Sequence, residues 1–334
     1  MNILITGGMG YIGSQLVYEL LKDERNFIYI VDLMIYKNKL PLNKNNLKVI
    51  KDDIRGESCR NILKQGIDIV YHFAGVSNDP GNGITPEEGM DINYNATINL
   101  YKDCLKFGVK RFIYPSSCSV YGRQNIDEGD TAIYLNENSN VNPITNYAIA
   151  KRKVENYILQ NNLNTNMCVT IVRPATVYGW SYRQRFDLIV NKSIAEIYYK
   201  KSVTVSDKRN IRPTIHIKDL IDLYILLSIV EIKKINNEIF NLAYDNLSIE
   251  NICEKIFEEL DINVKIHEKK EKESRSYYVT SEKVEKVLGF KRRFSLEHGI
   301  REMKQSLLNC EFDDIDINRN YFNRLCQPIY FAEV

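Results

Sequence analysis

None of the seven cysteines pairs with another in a CxxC arrangement, and none of the four histidines stands at metal-ligand spacing from them. That scatter excludes a zinc ribbon and a disulfide framework, so no metal is expected. It suits a reducing compartment, and a cytoplasmic protein is the expectation. A surplus of one charge is also lacking: 45 Lys and Arg against 43 Asp and Glu leave a net charge of +2. Nothing in that balance calls for a nucleic-acid partner. The most apolar stretch, Leu220–Ile232, is interrupted by Asp222 and Glu231 and is too short to span a bilayer. No leader-like segment precedes the first strand-like run, and no repeat or low-complexity tract is present.

What is there is alternation. Short β-branched runs at Asn2–Thr6, Phe27–Asp32, Leu47–Asp52, Asp68–Phe73, Arg111–Ser116 and Cys168–Arg173 read as strands. Helical patterns near Tyr11–Lys22, Cys59–Gln65, Met90–Phe107 and Asn146–Asn161 lie between them. Strands separated by helices pair in parallel through right-handed crossovers, which predicts an α/β, Rossmann-type doubly wound parallel sheet. After about Thr176 the rhythm loosens into helices near Phe186–Lys200, Asp219–Glu231, Ile249–Leu260 and Ser281–Leu288, the last capped by Gly289. Residues 1–175 are therefore expected to form a dinucleotide-binding domain and 176–310 a smaller substrate lobe, with some later segments free to rejoin the first. The tail, 311–334, stays unassigned.

Ligands of doubly wound sheets lie at the carboxyl ends of the strands. The first strand ends in Thr6-Gly7-Gly8-Met9-Gly10-Tyr11-Ile12-Gly13 and opens a helix. Glycines at positions 7, 10 and 13 suit a tight turn, close backbone approach to a pyrophosphate and tight helix–strand packing. Asp32, ending the second strand, is placed to accept ribose hydroxyls and repel a 2′-phosphate, which predicts NAD; Lys37 and Lys39 nearby leave NADP open. Asp53 and Ile54 after the third strand, and Phe73-Ala74-Gly75 after the fourth, extend this cofactor surface. His72 reads as a satisfied buried histidine.

Tyr147-Ala148-Ile149-Ala150-Lys151 puts a phenol and an ammonium four apart on one helix face, where the cation favours the phenolate and makes a general base. A second YxxxK, Tyr18–Lys22, sits on the helix after the glycine turn, away from the strand ends. Ser117, at the end of the fifth strand in Pro115-Ser116-Ser117-Cys118-Ser119-Val120-Tyr121-Gly122, supplies a hydroxyl to the same region.

With TGGMGYIG, HFAG, SSCSVYG and YAIAK all in place, the chain resembles the extended short-chain dehydrogenase/reductases, in particular the nucleotide-sugar epimerase/dehydratase group, from Met1 to about Leu307. The resemblance implies NAD as cofactor, Ser117 as catalytic hydroxyl, Tyr147 as base, and Lys151 as its partner and ribose ligand. It implies that Asn93, in INYNAT, orders the region after strand four. It places the substrate at Ser77, Asn78, Ser117 and Thr176, where the family often has Asn, with Arg212 and Arg275 on the diphosphate, and His216 and Asp219 at the junction of the lobe. A homodimer is implied on the same ground. The expected chemistry is hydride exchange at sugar carbon 4, by a 4-epimerase or 4-dehydrogenase, with a 4-ketoreductase or a decayed nucleotide-sensing protein as alternatives. Family dehydratases carry Thr-Asp-Glu where this chain has Ser117-Cys118-Ser119, so 4,6-dehydration is not expected.

Overall fold

The computed structural model describes residues 1–77, 84–124, 132–269 and 275–312. The first three strands are β1 (Asn2–Thr6), β2 (Phe27–Asp32) and β3 (Leu47–Lys51). They are followed by β4 (Ile69–His72), β5 (Arg111–Pro115), the two-residue β6 (Tyr134–Leu135) and β7 (Cys168–Pro174). Further on come β8 (Thr176–Tyr178), β9 (Val203–Val205), β10 (Ile211–His216), β11 (Glu238–Leu242) and β12 (Asp245–Ser248). The central sheet has seven strands in the order β11-β7-β5-β4-β1-β2-β3, and all its pairings are parallel. The chain winds outward from β1 to β3 on one side, then crosses to β4 on the other. A crevice therefore opens at the carboxyl ends of β1 and β4.

Helices cover both faces. On one, α1 (Tyr11–Leu20) packs with residues 217–229, and on the other lie α2 (Ser58–Leu63), α4 (Ala96–Lys106) and α5 (Asn146–Asn161). The strands are apolar on both sides, as a sheet covered twice requires: Ile3, Leu4 and Ile5 are all fully buried. Between α2 and α4 the expected single helix over 90–107 is broken. A Thr85–Glu88 capping box starts α3 (Pro86–Met90) early, and Asp91–Asn95 forms a π-helical turn before α4. That turn aims Asn93 at the segment after β4.

The chain returns to the sheet after residue 175. The edge strand β11 pairs with β7, and α7 (Ile217–Ile229) lies against α1, so a boundary at 175 does not divide the molecule cleanly. The lobe keeps its own core, built by α6 (Ile189–Lys200), α8 (Ile249–Leu260) and α10 (Leu296–Leu308) around β9. Of these, α10 was not foreseen from the sequence. A three-stranded sheet, β12-β10-β8, stands at the lobe's edge over the crevice. Among the described residues no helix is long and apolar enough to cross a membrane.

Candidate active site

The glycine turn is dictated by contact. Gly7 has φ +70°, and a Cβ there would lie 2.5 Å from the Ala74 amide; a Cβ at Gly13 would lie 2.3 Å from the Gly7 carbonyl. Any side chain would therefore drive α1 off the end of β4. Gly10 caps α1 without a side-chain acceptor, leaving the first-turn amides directed at the crevice. Asp32 steadies the turn: one oxygen accepts from Met9 N (2.9 Å) and the other from Met34 N (2.7 Å). Burial holds its carboxyl above the ordinary value, which those two amides only partly offset. Asp53 binds the Arg55 guanidinium through both oxygens (3.0 and 2.8 Å). Lys39 turns away, donating to the Glu311 carbonyl.

Beyond β4, Asn93 clamps Val76 from both sides, accepting from its amide (2.8 Å) and donating to its carbonyl (2.9 Å). Through Val76, which lines the cavity, Asn93 orders the segment after β4. His72 is a satisfied core residue. Thr97 donates to the Asn93 carbonyl (2.9 Å), so its oxygen accepts from His72 Nε2 (2.8 Å), and Nδ1 accepts from Thr6 (2.6 Å). Burial drops the His72 pKa to about 3.

Thr145 caps α5, accepting from Ala148 N (3.2 Å), and this fixes the helix that carries Tyr147 and Lys151. Lys151 Nζ donates to the Pro115 carbonyl at the end of β5 (2.7 Å) and lies 5.6 Å from the Tyr147 ring centre. Burial lowers the Lys151 pKa to about 7, with Glu155 one turn on pulling the other way. Glu155 is itself held below its ordinary value: burial opposes its charge, but Arg173 grips it through two bonds of 2.8 and 2.7 Å. Ser117 accepts from Ser119 N (3.1 Å), which turns the chain at the strand end. The Cys118 thiol points inward to the Arg173 carbonyl (3.1 Å), and burial pushes its pKa up, so it is a packed thiol and not a reactive one.

One continuous cavity of about 680 Å³ joins these parts. Gly7, Gly10, Tyr11, Ile12, Gly13, Asp32, Asp53, Ile54, Phe73, Ala74 and Gly75 line it, as do Ser77, Ser117, Tyr147, Lys151, Thr176, Arg212 and Arg275. Asn78 lies outside the described residues. Arg212 donates to the Arg275 backbone carbonyl, tying β10 to a segment 63 positions away. His216 and Asp219 stand at the lobe junction, where Asp219 accepts from the Arg293 and Phe294 amides (2.9 and 3.2 Å). The sequence reading missed Arg183, Arg185 and Asp187, which line the same cavity. Arg185 and Asp187 form a bidentate pair at 2.9 and 2.7 Å. The alternation Arg-x-Arg-x-Asp, beginning four residues after Gly179, was the available signal.

The profile of the NAD dependent epimerase/dehydratase family matches residues 3–243. The chain belongs to this family. It is an NAD-dependent enzyme of the extended short-chain dehydrogenase/reductase type, and its glycine cradle fits that cofactor. Among relatives, it is 26% identical to a putative UDP-glucose 4-epimerase of Methanocaldococcus jannaschii, over 92% of this chain and 98% of that protein. A dTDP-D-glucose 4,6-dehydratase of Dictyostelium discoideum is 29% identical over 74% of the chain, which spans only 60% of that protein's length. The solved UDP-N-acetylglucosamine 4-epimerase of Methanobrevibacter ruminantium M1, in complex with UDP-N-acetylmuramic acid, superposes with a TM-score of 0.78 at 27% identity. That likeness covers 92% of this chain and 98% of that one. Both epimerases and dehydratases thus stand among this family member's relatives, and the residues beside Tyr147 must separate them.

Proposed function

We propose that this enzyme oxidises carbon 4 of a nucleotide-diphospho-sugar and either re-reduces it as a 4-epimerase or releases the ketone as a 4-dehydrogenase, and that it does not remove water. The observation that carries this reading is the single cavity running from the glycine cradle, past Ser117, Tyr147 and Lys151, to Arg212 and Arg275. A dinucleotide and a second phosphate-bearing ligand would share that cavity, whose wall carries Tyr147. Bound NAD supplies the two-electron acceptor and donor. Tyr147 takes the hydroxyl proton as the carbon is oxidised and returns it on reduction, while Ser117 holds the same oxygen. Lys151, when charged, favours the phenolate, and Glu155 behind it supports that charge. Arg212 and Arg275 suit the substrate diphosphate, because guanidinium forks match phosphate oxygens.

Against dehydration stands the wall beside Tyr147. Cys118 is buried and turned inward, and Ser119 offers a hydroxyl where a carboxylate acid or base is needed. Asp187, a carboxylate on the cavity wall, is paired with Arg185 through both oxygens. Epimerisation asks only that the ketone turn over before reduction, and the 4-epimerases among the relatives favour it. Purified enzyme incubated with UDP-glucose, UDP-N-acetylglucosamine and other nucleotide sugars tests the reading by product NMR and by absorbance of reduced cofactor. A C4 epimer or a 4-keto product is expected. No turnover of any nucleotide sugar would sink it.

A further inference from the structure

Arg183 is buried to 2% exposure on the cavity wall, yet its Nε and Nη2 have no hydrogen-bond partner. A buried guanidinium is ordinarily saturated, since leaving charged donors unmet in a low-dielectric site is costly. Its neighbour Arg185 takes both oxygens of Asp187, so that carboxylate is committed elsewhere. Arg183 is nonetheless held in place. Its guanidinium stacks on the Tyr36 ring at 4.0 Å, and the loop is pinned on either side by Lys39 N to the Tyr182 carbonyl (3.0 Å) and Ser181 N to Gln184 (2.9 Å).

The two unmet donors form one edge of the guanidinium, the edge that grips two oxygens at once. Tyr36 follows β2 by four residues, so Arg183 reaches from the lobe to the strand end that carries Asp32. The two are close enough for each charge to act on the other's titration. A vicinal diol satisfies both groups together. Its hydroxyls donate to the carboxylate and accept from the fork, whereas a phosphate satisfies the fork and is repelled by the carboxylate. We propose that Arg183 is a cofactor-binding residue whose Nε–Nη2 edge donates to the 2′- and 3′-hydroxyl oxygens of the adenosine ribose, opposite Asp32. The lobe thereby closes on the adenosine half of the dinucleotide as well as on the substrate.

Calorimetric titration of the intact enzyme with NAD, NADP, ADP, 2′-deoxy-ADP and nicotinamide mononucleotide tests this independently of any sugar turnover. Arg183→Met should weaken NAD and ADP by on the order of ten- to a hundredfold, the scale of a charge-assisted contact, and leave nicotinamide mononucleotide unchanged. The preference for ADP over 2′-deoxy-ADP should shrink in the same variant. Arg183→Lys keeps the charge without the fork and should recover only a minor part of the affinity. It also guards against a general loss of fold in the methionine variant. Wild-type affinity for ADP in Arg183→Met, or full recovery by lysine, would overturn the assignment. So would a loss confined to NADP, which would make the fork a phosphate reader.

Discussion

Replacing Lys151 with methionine should stabilise the fold while destroying the chemistry. Burial takes the Lys151 pKa from 10.5 to about 7. A depressed lysine pKa means that the unfolded chain binds the proton more tightly, so the folded state is penalised wherever the unfolded lysine is charged. The penalty is complete below about pH 7, diminishes as pH rises toward 10.5, and is gone above it. The drop from 10.5 to about 7 is worth about 5 kcal/mol. Methionine fills most of the same volume without charge, but it forfeits the bond to the Pro115 carbonyl, worth about 1.5–3 kcal/mol. The net gain should be about 2 kcal/mol at about pH 6, falling steadily toward alkaline pH. Urea unfolding of cofactor-free wild type and variant across that range measures the gap directly, and turnover should fall on the order of a hundredfold. A variant no more stable at about pH 6, or a gap that does not narrow as pH rises, would refute burial as the source of the shift.

Tyr147→Phe should keep NAD binding, read by titration, and lose turnover by about a hundredfold. Tyr18→Phe, which alters the other YxxxK copy packed on Tyr182 at 4.9 Å, should be nearly silent in the same assay. Arg212→Ala and Arg275→Ala should each raise the apparent substrate constant by on the order of ten- to a hundredfold with little change in turnover, as steady-state kinetics would show. Competition binding should find NAD preferred to NADP, because Asp32 lines the cavity with a carboxylate, its oxygens already oriented by Met9 and Met34, that would repel a 2′-phosphate. Mass spectrometry of the products should show no loss of water, since Ser117-Cys118-Ser119 provides no carboxylate.

The sheet was legible where local chemistry determines it. β-branched runs bounded by glycine or aspartate gave β1 and β2 to the residue, and the helical pattern that follows Asn142-Pro143 gave α5 whole. What failed was non-local. Glu238–Leu242 is a short run between loops with no helix-length spacing around it, and only its pairing with β7 makes it a sheet strand. The π turn at Asp91–Asn95 was hidden for a related reason: its purpose is the Asn93–Val76 clamp, a contact across 17 residues. That Tyr147, Lys151, Ser117 and the glycines would share one cavity was legible because each stands at a strand end or on a helix face that its own neighbours define. Arg183 was not, because its meaning depends on Tyr36 and Asp32, which lie nearly half the chain away.

The same dependence explains how lobe and sheet act as one site. Tyr11 donates to the Gly179 carbonyl (2.8 Å), Ser181 donates to the Tyr11 carbonyl (2.6 Å), and Gln15 donates to the Trp180 carbonyl (2.9 Å). All three bonds run from the first turns of α1, whose amino terminus also faces the phosphate region. The loop that carries Arg183, Arg185 and Asp187 is therefore tied both to the glycine cradle and to the lobe's own core, where Phe186 is buried and Asn191 of α6 accepts from Gly179 N and donates to the Arg185 carbonyl. Sheet and lobe are thus joined through one loop, held on one side by α1 and on the other by α6. The proposed chemistry needs that junction to be firm, because the carbon must present its hydroxyl to the Tyr147 phenol and its face to the cofactor in the same pose.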